Sequence, residues 1–434
     1  MKILMASTPA TGHINPLVTI ARFLVEDGHE VVFLSGTAYR GRIESSGARF
    51  CALPGKADVD FRDLLAIAPE LGGIEPGLTW LRVAQERIFI DKVADQHKGL
   101  QEVLRGFPAD SIVGDDMFFG LLPTLLGPRA SRPAVMVCGT SILHCRRDDR
   151  APLSLGLPPA TTPAQLKEYE AIAAEYDEKV DQPSLERLNA ELKDLGVDAL
   201  SIPFFEATVV LADTYLQLSV PGFEFPRTMP SCVNFIGALP IIPREAQIPP
   251  WAADLDGSRK VALVTQGTMA NHDFSLLIGP TLAAFANDPD IIVVATGGGR
   301  SVDAIPGPIP ANARLADYLP FEWLLPKVDV LVTNGGYGSV NQALSFGIPI
   351  IAAGLTEDKA DVNARIGWSG AGIDLKTNNP TPEAIRAAVR TALDGPDCRR
   401  HAQRLAAEFA TYDAKSETLR LLRQHDDARR ARAA

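Results

Sequence analysis

The sequence predicts an α/β protein built as two parallel-sheet halves that face each other across a cleft. Three observations carry this expectation. Short apolar runs alternate with helical patterns at the start of the chain; a proline-rich stretch near residue 240 breaks the rhythm; the alternation then restarts with three strand-like runs ending in glycine-rich turns. Parallel strands joined through helices cross over right-handedly, and ligands of such sheets sit beyond the carboxyl ends of the strands.

The elements follow in order. Residues 2–6 form an apolar run, read as a buried strand, and residues 7–14 a loop carrying Pro9, Gly12 and His13. Asn15-Pro16 reads as a helix start, with Asn at the cap and Pro in the first turn. Leu17, Ile20, Ala21 and Leu24 recur at helical spacing, Asp27-Gly28 ends the helix, and residues 30–34 are the next strand. Residues 79–104 and 163–195 carry charged helical patterns, and residues 111–114 and 134–138 read as strands, the first running into Asp115-Asp116. Between Gly237 and Trp251 four prolines (240, 243, 249 and 250) fall in a stretch without periodicity, as in a linker. Beyond it, strands over 261–265, 291–295, 328–333 and 350–353 are expected. The expected division is therefore 1–239, a linker at 240–254, 255–410, and a terminal helix at 411–434 returning toward the first half.

With 434 residues, 46% of them hydrophobic, the chain can bury a substantial core. A net charge of −11 argues against nucleic acid and against general adhesion to acidic membranes. It leaves room for an anionic ligand at a helix N-terminus. Five scattered cysteines without a CxxC pair argue against a disulfide framework or a zinc site and fit thiols in a reducing cytoplasm. The first apolar run is too short for a signal peptide, and no stretch of ~18 apolar residues predicts a membrane span.

The strongest local feature is the strand–turn–helix run from Val330 to Leu344, with Asn334-Gly335-Gly336-Tyr337-Gly338-Ser339 at the turn. Glycines allow close backbone approach, and free amides at a helix start favour phosphate; Ser339 adds a hydroxyl. This is neither a GxGxxG nor a GxxxxGK[ST] motif. His13, beside the expected cleft, has a side-chain type that takes a proton near neutral pH, and a carboxylate on its far nitrogen would fix the tautomer. Asp115 or Asp116 is placed to supply it. His29, His97 and His144 lack a comparable setting.

The run Leu319-Pro320-Phe321-Glu322-Trp323-Leu324-Leu325-Pro326, then Thr333 to Ser339, Ala343-Leu344-Ser345-Phe346-Gly347-Ile348-Pro349, Asp358-Lys359 and Asn363-Ala364-Arg365, resembles the donor-binding signature of family 1 UDP-glycosyltransferases. Gly12-His13-Ile14-Asn15-Pro16 is similar to that family's catalytic-histidine motif, and the bacterial macrolide and natural-product branch is the nearest in character. The resemblance covers the second half well and the middle of the first half poorly.

It implies a GT-B architecture, two Rossmann-like domains with the acceptor in the first and the nucleotide sugar in the second. It also implies inversion by direct displacement without metal or other cofactor. Carried over by residue, His13 would be the general base and Asp115 its orienting partner, Asp116 standing second. Thr268, Gly336, Gly338 and Ser339 would cradle the pyrophosphate, Tyr318 would stack on the base, Gln342 would meet the ribose, and Asp358 and Lys359 the sugar. Asn334 stands where the family usually has His; it can hydrogen-bond a phosphate but carries no proton. Gln342 replaces a usual Glu, and Asp358-Lys359 the common acidic-Gln pair. The expected partners are a UDP- or dTDP-sugar and a small hydrophobic hydroxylated acceptor, whose pocket the segments 61–87, 138–145 and 201–205 are expected to line, with the chain a monomer or homodimer. A nucleotide-sugar epimerase or hydrolase, or a non-catalytic nucleotide-sugar-binding protein, is the alternative on the same fold.

Overall fold

The computed structural model describes residues 1–61, 63–241, 248–268 and 271–433, with side chains to residue 425. Part of the expected linker, residues 242–247, lies outside the described residues, as does Ala434.

The first sheet contains β1 (Lys2–Ala6), β2 (Glu30–Ser35), β3 (Arg49–Ala52), β4 (Ser111–Asp115), β5 (Ala134–Gly139), β6 (Thr214–Gln217) and β7 (Val233–Phe235), in the order β3-β2-β1-β4-β5-β6-β7. The second contains β8 (Lys260–Thr265), β9 (Ile291–Thr296), β10 (Ala313–Ala316), β11 (Val330–Thr333), β12 (Ile350–Ala352) and β13 (Gly372–Asp374), in the order β10-β9-β8-β11-β12-β13. Neighbouring strands pair in parallel throughout both sheets. Each sheet reverses its winding once, between β1 and β4 and between β8 and β11. Those switch points open crevices at the carboxyl ends, the usual place for a ligand.

Both faces of each sheet are covered, so the strands are apolar on both sides. In β1, Ile3 and Met5 pack into one core with Phe33, while Leu4 and Ala6 pack into another with Val32 and Leu34. In β8, Val261 and Leu263 face one core, Ala262 and Val264 the other. The period of two is what a pleated strand imposes. The last helix, Ala414–Ala433, lays Leu419, Leu421 and Leu422 into the core formed by β1 and the first helix; Lys415 pairs with Glu26 at 2.6 Å.

Two expectations are corrected. The first helix runs Thr11–Glu26, so it begins a turn before Asn15-Pro16 and Pro16 lies inside it. Ala10 is the cap and its carbonyl accepts from the amides of His13 and Ile14 at 3.0 and 2.9 Å. Pro16, in the second turn, has no amide to give the Gly12 carbonyl, so the helix forgoes one bond there. His13 is therefore a helical residue in the first turn, not a loop residue. The patterns at 79–104 and 163–195 are each interrupted by a wider π turn, Gln85–Phe89 and Asp177–Asp181. Such bulges are frequent at functional sites, and here both turns line the cavity described next.

Candidate active site

A cavity of about 1500 Å³ lies between the carboxyl ends of the two sheets. It is lined by His13 from the first half and by Thr268, Tyr318, Asn334, Gly336, Gly338, Ser339, Gln342, Asp358 and Lys359 from the second. The structure thus brings the residues singled out in the sequence to one space, with Asp115 just behind the wall.

His13 is built into a hydrogen-bonded relay. Its Nδ1 lies 2.7 Å from the Thr140 hydroxyl, 3.2 Å from Asp115 Oδ1 and 3.9 Å from Asp116 Oδ1. The Thr140 hydroxyl donates to Asp116 Oδ1 at 2.9 Å. Its proton is then spent, so toward His13 it can only accept, as can the carboxylate of Asp115. The proton of a neutral His13 belongs on Nδ1, which leaves Nε2 as the basic nitrogen. Nε2 has no hydrogen-bond partner among the described residues, and the side chain keeps 19% of its surface open on the cavity. Burial alone would lower the pKa of His13; Asp115, Asp116 and Asp358 outweigh it and raise the pKa above the ordinary value.

Both carboxylates are fixed by their place at the end of β4. Asp115, fully buried, accepts from the Thr8 amide at 2.6 Å, the Thr8 hydroxyl at 3.1 Å and the Met117 amide at 2.9 Å. Thr8 follows β1, so these bonds close the switch point of the first sheet. Asp116 accepts from the Thr140 amide at 3.1 Å. Burial pushes the Asp116 carboxyl up, but His144, His13 and the Thr140 amide more than offset it and hold the group below its usual range. His13, Asp115 and Asp116 have the donor chemistry of a cation site, with ligand atoms all within 4.8 Å of one another. Yet the carboxylates already accept from Thr8, Met117 and Thr140, which fits a relay better than a metal cage.

On the opposite wall, β11 ends in the glycine-rich turn and the helix Tyr337–Ser345 begins, capped by Gly336. Helix geometry leaves the amides of its first turn without intrahelical partners. A Cβ at Gly338 would meet nothing within 4 Å, so the backbone there is open to the cavity. Gly335 is glycine for another reason: φ is +99° and a Cβ would meet Asn363 Oδ1 at 2.0 Å. Asn334 does not point an idle amide at the cavity. Its Nδ2 donates to the Gln266 carbonyl at 2.8 Å, tying the ends of β11 and β8 together at the second switch point. Ser339 Oγ donates back to the Gly336 carbonyl at 2.9 Å.

Asp358 precedes the helix Lys359–Ser369 and accepts a hydrogen bond from Ser141 Oγ, so it reaches across the cleft to the residue after Thr140. Burial raises its pKa, against the lowering effect of Ser141 and of the two histidines nearby. Lys359 is buried, paired with Glu357, and its ammonium is pushed down to about 8 by burial.

The segments 61–87, 138–145 and 201–205, expected from the sequence to line the acceptor side, bring Phe61, Trp80, Thr140, His144 and Phe205 to the cavity. The link of Thr140 to Asp116 and His13 carries no signal in the run Gly139-Thr140-Ser141. The sequence also gives no setting for His144, and the structure corrects that: it lines the cavity, 3.4 Å through Nδ1 from Asp116 Oδ2, with its ring stacked on Phe205 at 5.3 Å. His97 does stay apart, its Nδ1 3.3 Å from the Gly120 carbonyl.

Two doubly wound parallel sheets facing one cavity form a GT-B architecture. A family model described as Erythromycin biosynthesis protein CIII-like, C-terminal domain, matches residues 281–423. The 4'-demethylrebeccamycin synthase of Lentzea aerocolonigenes is 37% identical over 427 residues, covering 97% of this chain and 98% of its own. UDP-glycosyltransferase 2 of Phaeomoniella chlamydospora is 34% identical, with 95% and 93% covered. Among solved structures, the calicheamicin glycosyltransferase CalG4 superposes with a TM-score of 0.74 at 18% identity, 98% of both chains being covered. The chain belongs to the UDP-glycosyltransferase family and is a hexosyltransferase of the natural-product group. No helix among the described residues is long and apolar enough to cross a membrane.

Proposed function

We propose that the protein is an inverting glycosyltransferase that moves a sugar from a UDP- or dTDP-sugar to a hydroxyl of a small hydrophobic acceptor, with His13 as general base. One observation carries the reading: the free Nε2 edge of His13 and the open first turn of Tyr337–Ser345 border the same cavity. The acceptor hydroxyl gives its proton to Nε2 as its oxygen attacks the anomeric carbon. The bond from that carbon to the diphosphate oxygen breaks, and the nucleoside diphosphate leaves on the opposite side. Attack and departure from opposite faces invert the configuration.

Asp115 and the Thr140–Asp116 pair hold the ring and stabilise the imidazolium that forms. Charge on the leaving diphosphate is met by the amides at Gly336, Gly338 and Ser339, with Thr268 and Asn334 beside them. Preorganised donors of this kind need no metal to act; loss of one costs about 10²–10³ in rate. Tyr318 and Gln342 take the base and ribose, Asp358 and Lys359 the sugar. The aromatic wall formed by Phe61, Trp80, Phe89 and Phe205 supports a hydrophobic acceptor. One solved relative in fold, the spinosyn rhamnosyltransferase SpnG, is described as complexed with thymidine diphosphate, which supports keeping dTDP beside UDP as a donor. Five free cysteines support a reducing cytoplasm as its location.

The test is turnover with UDP-glucose and dTDP-glucose against a panel of hydroxylated aromatics, with the anomeric proton coupling of the product read by NMR. A β-glucoside from an α-linked donor is expected. An α-glucoside would overturn inversion, and free sugar released at the same rate without acceptor would favour a hydrolase.

A further inference from the structure

We propose that His144 is a second acceptor-binding residue, and that the site takes a flat aromatic acceptor bearing two neighbouring polar groups, one for His13 and one for His144. The proposal rests on the transfer reading above and narrows its acceptor class.

The two histidines address the two oxygens of one carboxylate. His13 Nδ1 stands 3.9 Å from Asp116 Oδ1, and His144 Nδ1 stands 3.4 Å from Asp116 Oδ2. Both rings line the cavity, so one carboxylate sets their spacing along a single wall. His144 is 7% exposed, and neither its Nδ1 nor Asp116 Oδ2 makes a hydrogen bond of good geometry in the protein. Those two atoms face each other at 3.4 Å as a long ion pair, and no hydrogen bond among the described residues reaches Nε2, which leaves a polar nitrogen that a ligand can satisfy. With Nδ1 turned to Asp116, the Nε2 edge is the part of the ring left to meet the cavity.

The surroundings hold that ring in place and give it a flat neighbour. It stacks on Phe205 at 28°, and Phe205 in turn meets Phe89 at 6.0 Å and Phe119 at 5.2 Å. Arg227 donates to the carbonyls on both sides of it, Leu143 at 3.1 Å and Cys145. Arg227 is itself paired with Glu224 at 2.6 Å, which also holds Arg365 of the second half. An aromatic plane beside two fixed imidazole edges fits a planar acceptor carrying two hydroxyls, or a hydroxyl and a ring N–H, close together.

The probes are alizarin, with adjacent hydroxyls on a flat ring, and 2-hydroxyanthraquinone, which lacks one of them. UDP-glucose serves as donor. In the wild type, kcat/KM is expected to favour alizarin, and His144→Phe, which keeps an aromatic ring over Phe205, is expected to cut that preference about tenfold, roughly one hydrogen bond. His144→Gln, which restores a polar tip, is expected to recover part of it. UDP affinity by calorimetry, expected to be the same in all three, reports that each variant is folded. An unchanged preference in His144→Phe overturns the proposal, as does wild-type protein that binds neither anthraquinone in the presence of UDP. Transfer to both probes without preference also overturns it and leaves the general-base reading standing. Sugar released from donor with no glycoside formed strikes instead at the transfer reading itself.

Discussion

The hydroxyl of Tyr337, the first residue of the helix facing the donor side, accepts a 2.6 Å hydrogen bond from Gln217 at the end of β6. Gln217 spends its other amide hydrogen on the Ser141 carbonyl at 2.8 Å. One buried side chain therefore joins the segment carrying Thr140 and Ser141 to the helix that meets the diphosphate. Gln217→Leu is expected to leave the Ser141 carbonyl without this donor and the Tyr337 hydroxyl with Ser219 alone, costing about 1–3 kcal/mol of stability, and to raise the donor KM severalfold more than it lowers kcat. Steady-state kinetics beside a urea melt would check this. Lost stability with an unaltered donor KM would reduce Gln217 to a packing residue.

Asp115 and Thr140 are expected to separate in the pH profile. Asp115 helps raise the His13 pKa, and the base works only when neutral. Activity should therefore rise with pH as His13 loses its proton. Asp115→Asn is expected to move that acid limb to lower pH, since the raising charge is gone, while kcat on the plateau falls because the base is weaker. Thr140→Val removes the link to Asp116 and is expected to lower kcat about tenfold or more with donor KM unchanged. The profile of kcat/KM against pH is the measurement; an acid limb moved upward in Asp115→Asn would contradict the assigned sign.

Lys359 offers a second titration. Burial pushes its ammonium down to about 8. The charged form dominates below that value and is lost above it. If Lys359 meets the anionic donor, UDP-glucose affinity should weaken as pH rises through about 8, and Lys359→Gln should flatten that dependence. Calorimetric titrations between neutral and alkaline pH would show it, and parallel curves for the two proteins would remove Lys359 from donor contact.

Glu224 and Arg365 bind the halves together. Arg365 is fully buried on the helix Lys359–Ser369 and pairs with Glu224 at 2.6 Å, with Phe225 under its guanidinium at 4.3 Å. Burial pushes the Glu224 carboxyl up, and the two arginines more than reverse it, so the pair is charged. Glu224 is the shared partner of Arg365 and Arg227, so its removal strands two buried guanidiniums. Glu224→Ala is expected to lose about 3–5 kcal/mol, read as a lowered urea midpoint, whereas Arg420→Ala, an exposed pair with Glu417, should change little. Equal midpoints for Glu224→Ala and the wild type would contradict the buried-pair account.

Much of this was legible in the sequence because buried parallel strands leave plain apolar runs. Residues 2–6, 111–114, 134–138 and 261–265 were readable that way. The short strands β3, β6, β7, β10 and β13 were not: each has three or four residues and sits at or toward a sheet edge, where the apolar run is brief. Asn15-Pro16 misled because the pair has the chemistry of a helix start, while Ala10 caps the helix with its carbonyl alone. Motif spacing exposed His13 and the turn at 334–339. The segment 138–145 was legible as pocket lining, but the contacts of Thr140 and His144 with Asp116 were not, because they come from β5 lying beside β4. A sequence pattern reports neighbours along a chain, and these are neighbours across a sheet.

The central claim is that His13 takes the acceptor proton while the second half binds the donor. Its most direct test pairs two readings on His13→Ala: single-turnover transfer from saturating donor, and calorimetric affinity for UDP-glucose and dTDP-glucose. The account predicts transfer reduced by at least about 10²–10⁴-fold with donor affinity nearly that of the wild type. Transfer at the wild-type rate with the donor still bound would contradict it.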